Sequence, residues 1–452
     1  KMENRLHTLD RPVDPLENLW IAFERVVPLP NEVYPYLRLE GGINEKLLKE
    51  SYLKTLDAFP YLKGKVVFDN KKRIYWSVDS KVPEGCFKLI KIEEGEEEFK
   101  QIYQEIINHP RFDLSRQPGV KLYLVKGSDK IDFIIFRYSH VLMDWGGGIS
   151  FLEELCQCYN SLIQGEEPVF SLAEEHPYDD FLTQKAKEVN FRHFLKFLAL
   201  AFDRFNPSSL KKVAYLAKYG DQQRVGEYHF CDWELGENEF DILKKKAKAR
   251  GMTVNDLVLA ATYRMVEDWC LTLKIPYGCL NLGSGMDYRQ FTNKSTLKNF
   301  SIPRIIKLFP KKIGDDEELI RTLQSKYREI TVNYYHYFIC FIIRAFHFLP
   351  YFLLEKGMRR RFNKGKFPVP SIAVANLGNL GRIDKLQNFG PARIAFFYPG
   401  ARGMFLPGYL LSVFSFKSKF YISFFYNNAL LTRQDAESLG SKLLAEMKRI
   451  AG

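Results

Sequence analysis

Residues 131–155 read IDFIIFRYSHVLMDWGGGISFLEEL, and the order of features in this stretch sets the fold class. A strand-like run over 130–139 ends at Ser139 and His140. Asp144 follows four residues later, and Gly146, Gly147 and Gly148 let the chain turn before SFLEELCQCYNSLIQG at 150–165. There Ser150 and Glu153 fit a capping box: the serine oxygen satisfies a free helical amide and the glutamate reaches back to the serine amide. Leu152, Leu155, Cys156, Tyr159 and Ile163 mark one apolar stripe, and Gly165 is a natural stop. A buried strand feeding a capped helix through a polar loop is α/β architecture. The same His-x-x-x-Asp spacing recurs at His176 and Asp180 in EEHPYDD, where no strand precedes it, so that pair reads as loop surface.

Working outward, EVYPYLRLEG (32–41) and KRIYWSV (72–78) read as strands around a helix at 44–56, and KGKVVFDNKKRIYW as a hairpin. A helix is expected over 96–108 and a strand over 120–127. The second half opens on the strand GEYHFCDW, followed by helices over 239–250 and 253–269. Later come the strand-like YGCLNLGSGMDYR, PSIAVANLG, ARIAFFY, YLLSVFSF and KFYISFFYN, then a closing helix in TRQDAESLGSKLLAEMKRI. A chain of 452 residues suits two domains of roughly 200 residues each. The expected division is an N-terminal lobe over 1–180, a transition over 181–222 and a C-terminal lobe over 223–452.

The seven cysteines show no repeated paired spacing, which points to thiols in a reducing compartment rather than a disulfide scaffold. Cys156 and Cys158 lack a partnering cluster, so no metal site is expected. KMENRLHTLDRP has no apolar signal core, and the expected location is cytoplasmic, with peripheral membrane contact as its variant. A net charge of +12 suits nucleic acid, an anionic membrane, a phosphorylated cofactor or an acidic carrier protein. The basic blocks KKKAKAR (244–250) and KGMRRRFNKGK (356–366) carry no zinc-finger or RNA-binding pattern, which argues against nucleic acid. YYHYFICFIIRAFHFLPYFLLEK (334–356) approaches membrane-span length but is interrupted by Arg344 and Pro350. A buried helix, a lipid-contacting surface and a true span all remain open for it.

His140 leaves an apolar strand at the point where a loop exposes its imidazole, and its titration range suits a general base, a role contributing roughly 10²–10⁴-fold to rate. Asp144 either orients that ring or clamps the loop through an arginine. The glycine-rich setting does not enforce helical i, i+4 geometry, so loop architecture is its first role.

RYSHVLMDWGGGISFLEEL resembles the His-x-x-x-Asp region of the coenzyme-A-dependent acyltransferase superfamily, which includes chloramphenicol acetyltransferase, condensation domains and polyketide-associated acyltransferases. RFDLSRQPGVKLYLV (111–125) resembles the segment preceding that region, and TVNDLVLAATYRMV and MDYR resemble landmarks of the second domain. The resemblance implies two chloramphenicol acetyltransferase-like α/β sandwich lobes with a tunnel between them, the donor thioester entering from one side and the acceptor from the other. It gives His140 the task of deprotonating an acceptor hydroxyl or amine. The acyl carbonyl then passes through a tetrahedral intermediate and a thiol departs, without an enzyme nucleophile or metal.

By the same resemblance Asp144 holds the catalytic loop, with Arg289 of MDYR as its ion-pair partner. Asn376 in VANLGNLG (374–381) matches a Ser-Asn-x-Gly region in which Ala375 replaces serine. It is expected either to donate to the developing oxyanion or to cap a turn. Ser139, Trp145 and Gly146 are expected to contact substrate. Ser139 stands where condensation domains have the first of two histidines, Trp145 where glycine follows the aspartate, and the Asp-Phe-Gly-Trp-Gly motif of plant alcohol acyltransferases is absent. These departures point to a stand-alone O- or N-acyltransferase. Its donor is acyl-CoA or a phosphopantetheine thioester on an acidic acyl carrier protein, and its acceptor a small molecule or an amphiphilic lipid. The alternative is a non-catalytic carrier- or lipid-binding protein of the same fold.

Overall fold

The computed structural model describes residues 11–27, 31–68, 74–78, 85–172, 178–205, 213, 214, 216, 225–275, 277–291, 296–309, 314–331, 333–364, 370–380, 386, 388–402 and 408–452. Within it the apolar run becomes strand Ile131–Ser139, buried from Asp132 to Ser139. Alternate residues of a strand face opposite sides, and here helices cover both. Phe133 stacks at 3.7 Å on Phe99 of helix Glu96–Asn108, and Phe136 at 4.4 Å on Phe151 of helix Trp145–Ile163. That double cover is why the strand reads as a continuous apolar run.

Ile131–Ser139 lies inside a seven-stranded sheet whose spatial order is Asn388–Phe389, Ala392–Tyr398, Tyr36–Glu40, Ile131–Ser139, Val120–Lys126 and Phe87–Lys91, with Glu32–Val33 pairing the end of Ile131–Ser139. The expected single strand at 32–41 is split at Tyr34 and Pro35, since proline brings no N–H to a ladder. A second, six-stranded sheet runs Ser301–Leu308, Leu280–Asp287, Ile372–Asn379, Leu410–Phe416, Lys419–Asn427 and Tyr228–Leu235. Helices Val254–Thr272 and Arg433–Ala451 pack together on it, each started by a Thr-x-x-Asp capping box at Thr253 or Thr432. The expected hairpin forms from Lys65–Phe68 and Ile74–Ser77, joined by Arg11–Pro12 in a three-stranded sheet.

Two lobes are therefore present, and the chain beyond residue 223 contributes a strand to the sheet of the first. Strand Ala392–Tyr398 returns to the first sheet and pairs antiparallel with Tyr36–Glu40, Tyr398 opposite Tyr36. The segment 334–356 also differs from a single helix: it folds as Asn333–His347 and Tyr351–Asn363, broken where Pro350 withholds its amide. His176 lies outside the described residues.

Candidate active site

Helix Trp145–Ile163 is capped six residues before the capping box expected at Ser150. Its N-cap is Asp144, whose Oδ1 accepts the Gly147 amide at 2.8 Å. The three glycines are thus the helix's first turn rather than a loop before it. A Cβ on Gly147 would collide with the Leu297 carbonyl oxygen, and one on Gly148 with the Tyr138 hydroxyl. Side-chain-free backbone here lets the second lobe close directly on the helix N-terminus.

The residues that close on it, 288–291 and 296–300, lie between strands Leu280–Asp287 and Ser301–Leu308. Arg289 forks onto Asp144, with Nη2 to Oδ1 at 2.9 Å and Nη1 to Oδ2 at 2.9 Å. The Phe300 amide adds a third bond to Oδ2 at 2.7 Å. Arg289 also donates to the carbonyl oxygens of Thr296 and Lys298 and to Asp287. Burial pushes the Asp144 carboxyl toward neutrality, but the guanidinium and the two amides outweigh it and hold the group below the usual carboxylate range. Asp144 is an ionised clamp between the lobes, and its oxygens point to Arg289 and to backbone amides.

His140 sits beside that clamp with 8% of its surface exposed. Its amide donates to the Asn31 carbonyl at 2.8 Å, and the Trp20 ring lies 5.3 Å from its own. Burial lowers the imidazole's pKa below the ordinary value, opposed by the Asp144 charge, so the ring is neutral at physiological pH. Asn299 of the second lobe meets it twice, with Nδ2 2.6 Å from the His140 carbonyl oxygen and 2.8 Å from Nδ1. The carbonyl oxygen demands a donor, which orients the amide nitrogen toward the histidine and makes Nδ1 an acceptor in this arrangement. Nε2 then carries the ring proton. The Nδ1 atom also lies against its own backbone carbonyl, the partner that would hold the proton in the other tautomer.

The remaining expected residues fall in different places. Ser139 is buried and its hydroxyl is occupied, donating to Glu24 Oε1 at 3.1 Å and accepting the Val141 amide at 3.2 Å, so it braces the loop instead of facing substrate. Gly146 lies under Arg289, with space for a Cβ closed off 2.8 Å from Nη1. Trp145 is half-buried with its ring 5.6 Å from that of Phe397, on the strand returned from the distant part of the chain. Asn376, expected at the reacting carbonyl, is exposed and makes its side-chain bonds elsewhere: Nδ2 to Asn255 at 3.2 Å, and Oδ1 accepting the amide of Gly378, which has φ +69°. That is the turn-capping alternative.

Three site residues escaped the sequence reading. Trp20 and Glu24 lie on helix Pro15–Val26, whose Asp14-Pro-x-Glu17 capping box is a legible start signal. Burial and the nearby Glu32 push the Glu24 carboxyl up to about 8. Asn299 carries no local signal. Beneath the loop, Glu32 accepts from Arg137 at 2.8 Å, from Tyr34 at 2.5 Å and from the Phe112 amide at 2.7 Å, all buried.

Residues 33–279 match the sequence description of the condensation domain, over half of the chain. The chain belongs to the condensation-domain family. Bacitracin synthase 1 of Bacillus licheniformis is 26% identical over 156 residues, which is 34% of this chain and 3% of that protein, so the chain spans a small part of its relative's length. Among solved structures, the epimerization domain from the third module of tyrocidine synthetase B aligns with TM-score 0.67 at 14% identity, covering 100% of this chain and 98% of that one. The first condensation domain of the calcium-dependent antibiotic synthetase, in complex with a substrate analogue, aligns at 0.70 and 13% identity, over 98% and 96%. The condensation domain from Monacolin K polyketide synthase aligns at 0.66 and 10% identity, over 98% and 97%. These likenesses carry the fold, the two-lobed condensation-domain architecture.

This condensation domain has its lobes joined a second time, where Asn108 exchanges hydrogen bonds with the backbone of Tyr228. A cavity of about 420 Å³ opens there, with His109, Arg111, Tyr228 and Arg402 in its wall. His140 is not part of its wall. Among the described residues no three His, Cys, Asp or Glu side chains converge as metal ligands. Cys156 instead contacts the Asn388 carbonyl at 3.0 Å and Cys158 that of Ser51 at 3.6 Å.

Proposed function

We propose that this condensation-domain protein transfers an acyl group from a thioester to an amine or hydroxyl acceptor, with His140 at the reacting centre. Thioester-dependent acyl transfer to an amine is the general chemistry of condensation domains. The observation that carries the reading is the treatment of one loop: a neutral histidine held by both lobes beside an ionised aspartate locked by Arg289.

In this reading the acceptor enters against Nε2, the ring nitrogen that Asn299 does not touch. For this the ring proton moves from Nε2 to Nδ1, held there against the His140 carbonyl, and Nε2 then takes the acceptor proton as the nucleophile attacks the acyl carbon. The tetrahedral intermediate then collapses, the carbon–sulfur bond breaks and the thiolate leaves with that proton. Asp144 and Arg289 keep the loop in place and do not touch the reacting atoms. The donor is an acyl-CoA or a phosphopantetheine thioester on an acidic carrier protein, which suits the +12 charge.

Incubation with a panel of acyl-CoA and acyl-carrier thioesters plus amine and alcohol acceptors should release free thiol, and a folded His140→Ala protein should lose at least roughly 10²-fold in rate. Undiminished turnover by that variant would overturn the assignment. A second reading is favoured by the Nε2–H tautomer and by the engagement of Ser139 and Asn376 in structure: a protein that binds a carrier or lipid without turnover. Donor binding that persists unchanged in His140→Ala, with no thiol released by either protein, would establish it.

A further inference from the structure

Helices Asn333–His347 and Tyr351–Asn363 form an elbow, bent by 118° around Pro350. Its inner face is part of the core through Cys340, Ile343, Tyr351 and Leu354. Its tip is the reverse: Phe346, Phe348, Leu349, Phe352 and Leu353 are between 40% and 76% exposed. Single exposed apolar side chains are ordinary, but five within eight residues at one projecting bend form a patch. Among the described residues no single helix is long and apolar enough to cross a membrane, and the buried inner face ties both arms to the protein. The arrangement fits an element lying in an interface, not one passing through it.

The charges above the tip choose the partner. The second arm carries Lys356, Arg359, Arg360 and Arg361, all exposed, against one acid, Glu355, which pairs with Arg359 at 2.7 Å. Helical rise puts the arginines roughly 10–13 Å up the arm from Phe352 and Leu353. Exposed Arg344 sits one turn before Phe348 on the first arm. Aromatic tip below and cationic collar above match the acyl boundary and headgroup layer of a bilayer bearing negative charge.

We infer that the elbow docks the protein on an anionic lipid membrane, its tip among the upper acyl chains and its arginines among the headgroups. The docking stands on the elbow alone and does not need the acyl-transfer reading. Both arms pack on helix Pro15–Val26, which presents Trp20 to the His140 ring. A docked protein therefore holds its candidate site one helix away from the bilayer, within reach of an amphiphile resident there.

The test is flotation of the full chain with vesicles of phosphatidylcholine alone and of phosphatidylcholine with about 30% phosphatidylglycerol. The protein should float with the anionic vesicles, bind neutral ones roughly tenfold less, and be released by high salt. Phe348→Asp with Phe352→Asp should abolish binding, and Lys356→Glu with Arg360→Glu should weaken it at least roughly tenfold, each with an unchanged melting temperature. As a check that does not depend on those variants, Phe348→Trp should shift its emission to the blue on anionic vesicles only. A wild-type chain that stays unbound overturns the inference. So does equal binding by the double aspartate variant, or a dimer that this variant separates without any vesicle binding.

Discussion

Asn299 controls the most consequential proton in the structure. Its amide donates to the His140 carbonyl and faces Nδ1, which disfavours imidazolium and competes with that carbonyl for Nδ1. Asn299→Asp would supply an acceptor for Nδ1–H, freeing the Nε2 lone pair and favouring imidazolium. The acidic limb of the pH–rate profile should move to higher pH in that variant, and a purely structural role would lower the rate without moving the limb. Glu24 gives a second pH signature. Its folded-state pKa of about 8 exceeds the unfolded carboxylate value, so its contribution to stability is complete at low pH and is lost as pH rises toward 8. Glu24→Gln should therefore raise the melting temperature at pH 8 by more than at pH 5, measured by scanning calorimetry. Gly147→Ala must push the Leu297 carbonyl away and should destabilise by about 1–3 kcal/mol in urea titration.

At the scale of elements, the site depends on how strand Ile131–Ser139 hands over to helix Trp145–Ile163. The strand was legible because its apolar run is local, and the stop at Gly165, with φ +74°, was legible for the same reason. The helix start was misread because Ser150 and Glu153 form a plausible box while the cap that operates, Asp144, precedes three glycines, which are poor helix formers. What makes them acceptable is the Leu297 carbonyl and the Tyr138 hydroxyl pressed against them, neither visible in a window of sequence. The strand end is anchored by the buried Arg137–Glu32 pair at 2.8 Å. Arg137→Met removes one of two buried arginines from Glu32, leaving Arg402 at 3.5 Å, and should cost about 1–3 kcal/mol in chemical denaturation.

At the scale of the molecule, strand Ala392–Tyr398 sews the distant part of the chain into the first sheet, and Asp144–Arg289 and His140–Asn299 fasten the lobes across the site. Heating should give one cooperative transition by calorimetry, and residues 1–180 expressed alone should lack near-ultraviolet circular dichroism, because their sheet then ends on an unpaired Tyr36–Glu40 edge. The sequence by itself determined the α/β class, most strands and helices, and the His140–Asp144 loop as the place to look, since periodicity and capping operate over a few residues. It also supplied Arg289 as the partner of Asp144 through resemblance. Only the tertiary structure decided that Asn299, 159 residues from His140, holds its ring, that Ser139 and Asn376 serve backbone geometry, and that the lobes share a strand. Those outcomes depend on which surfaces meet when two sheets close on each other, and no short stretch of chain records that meeting.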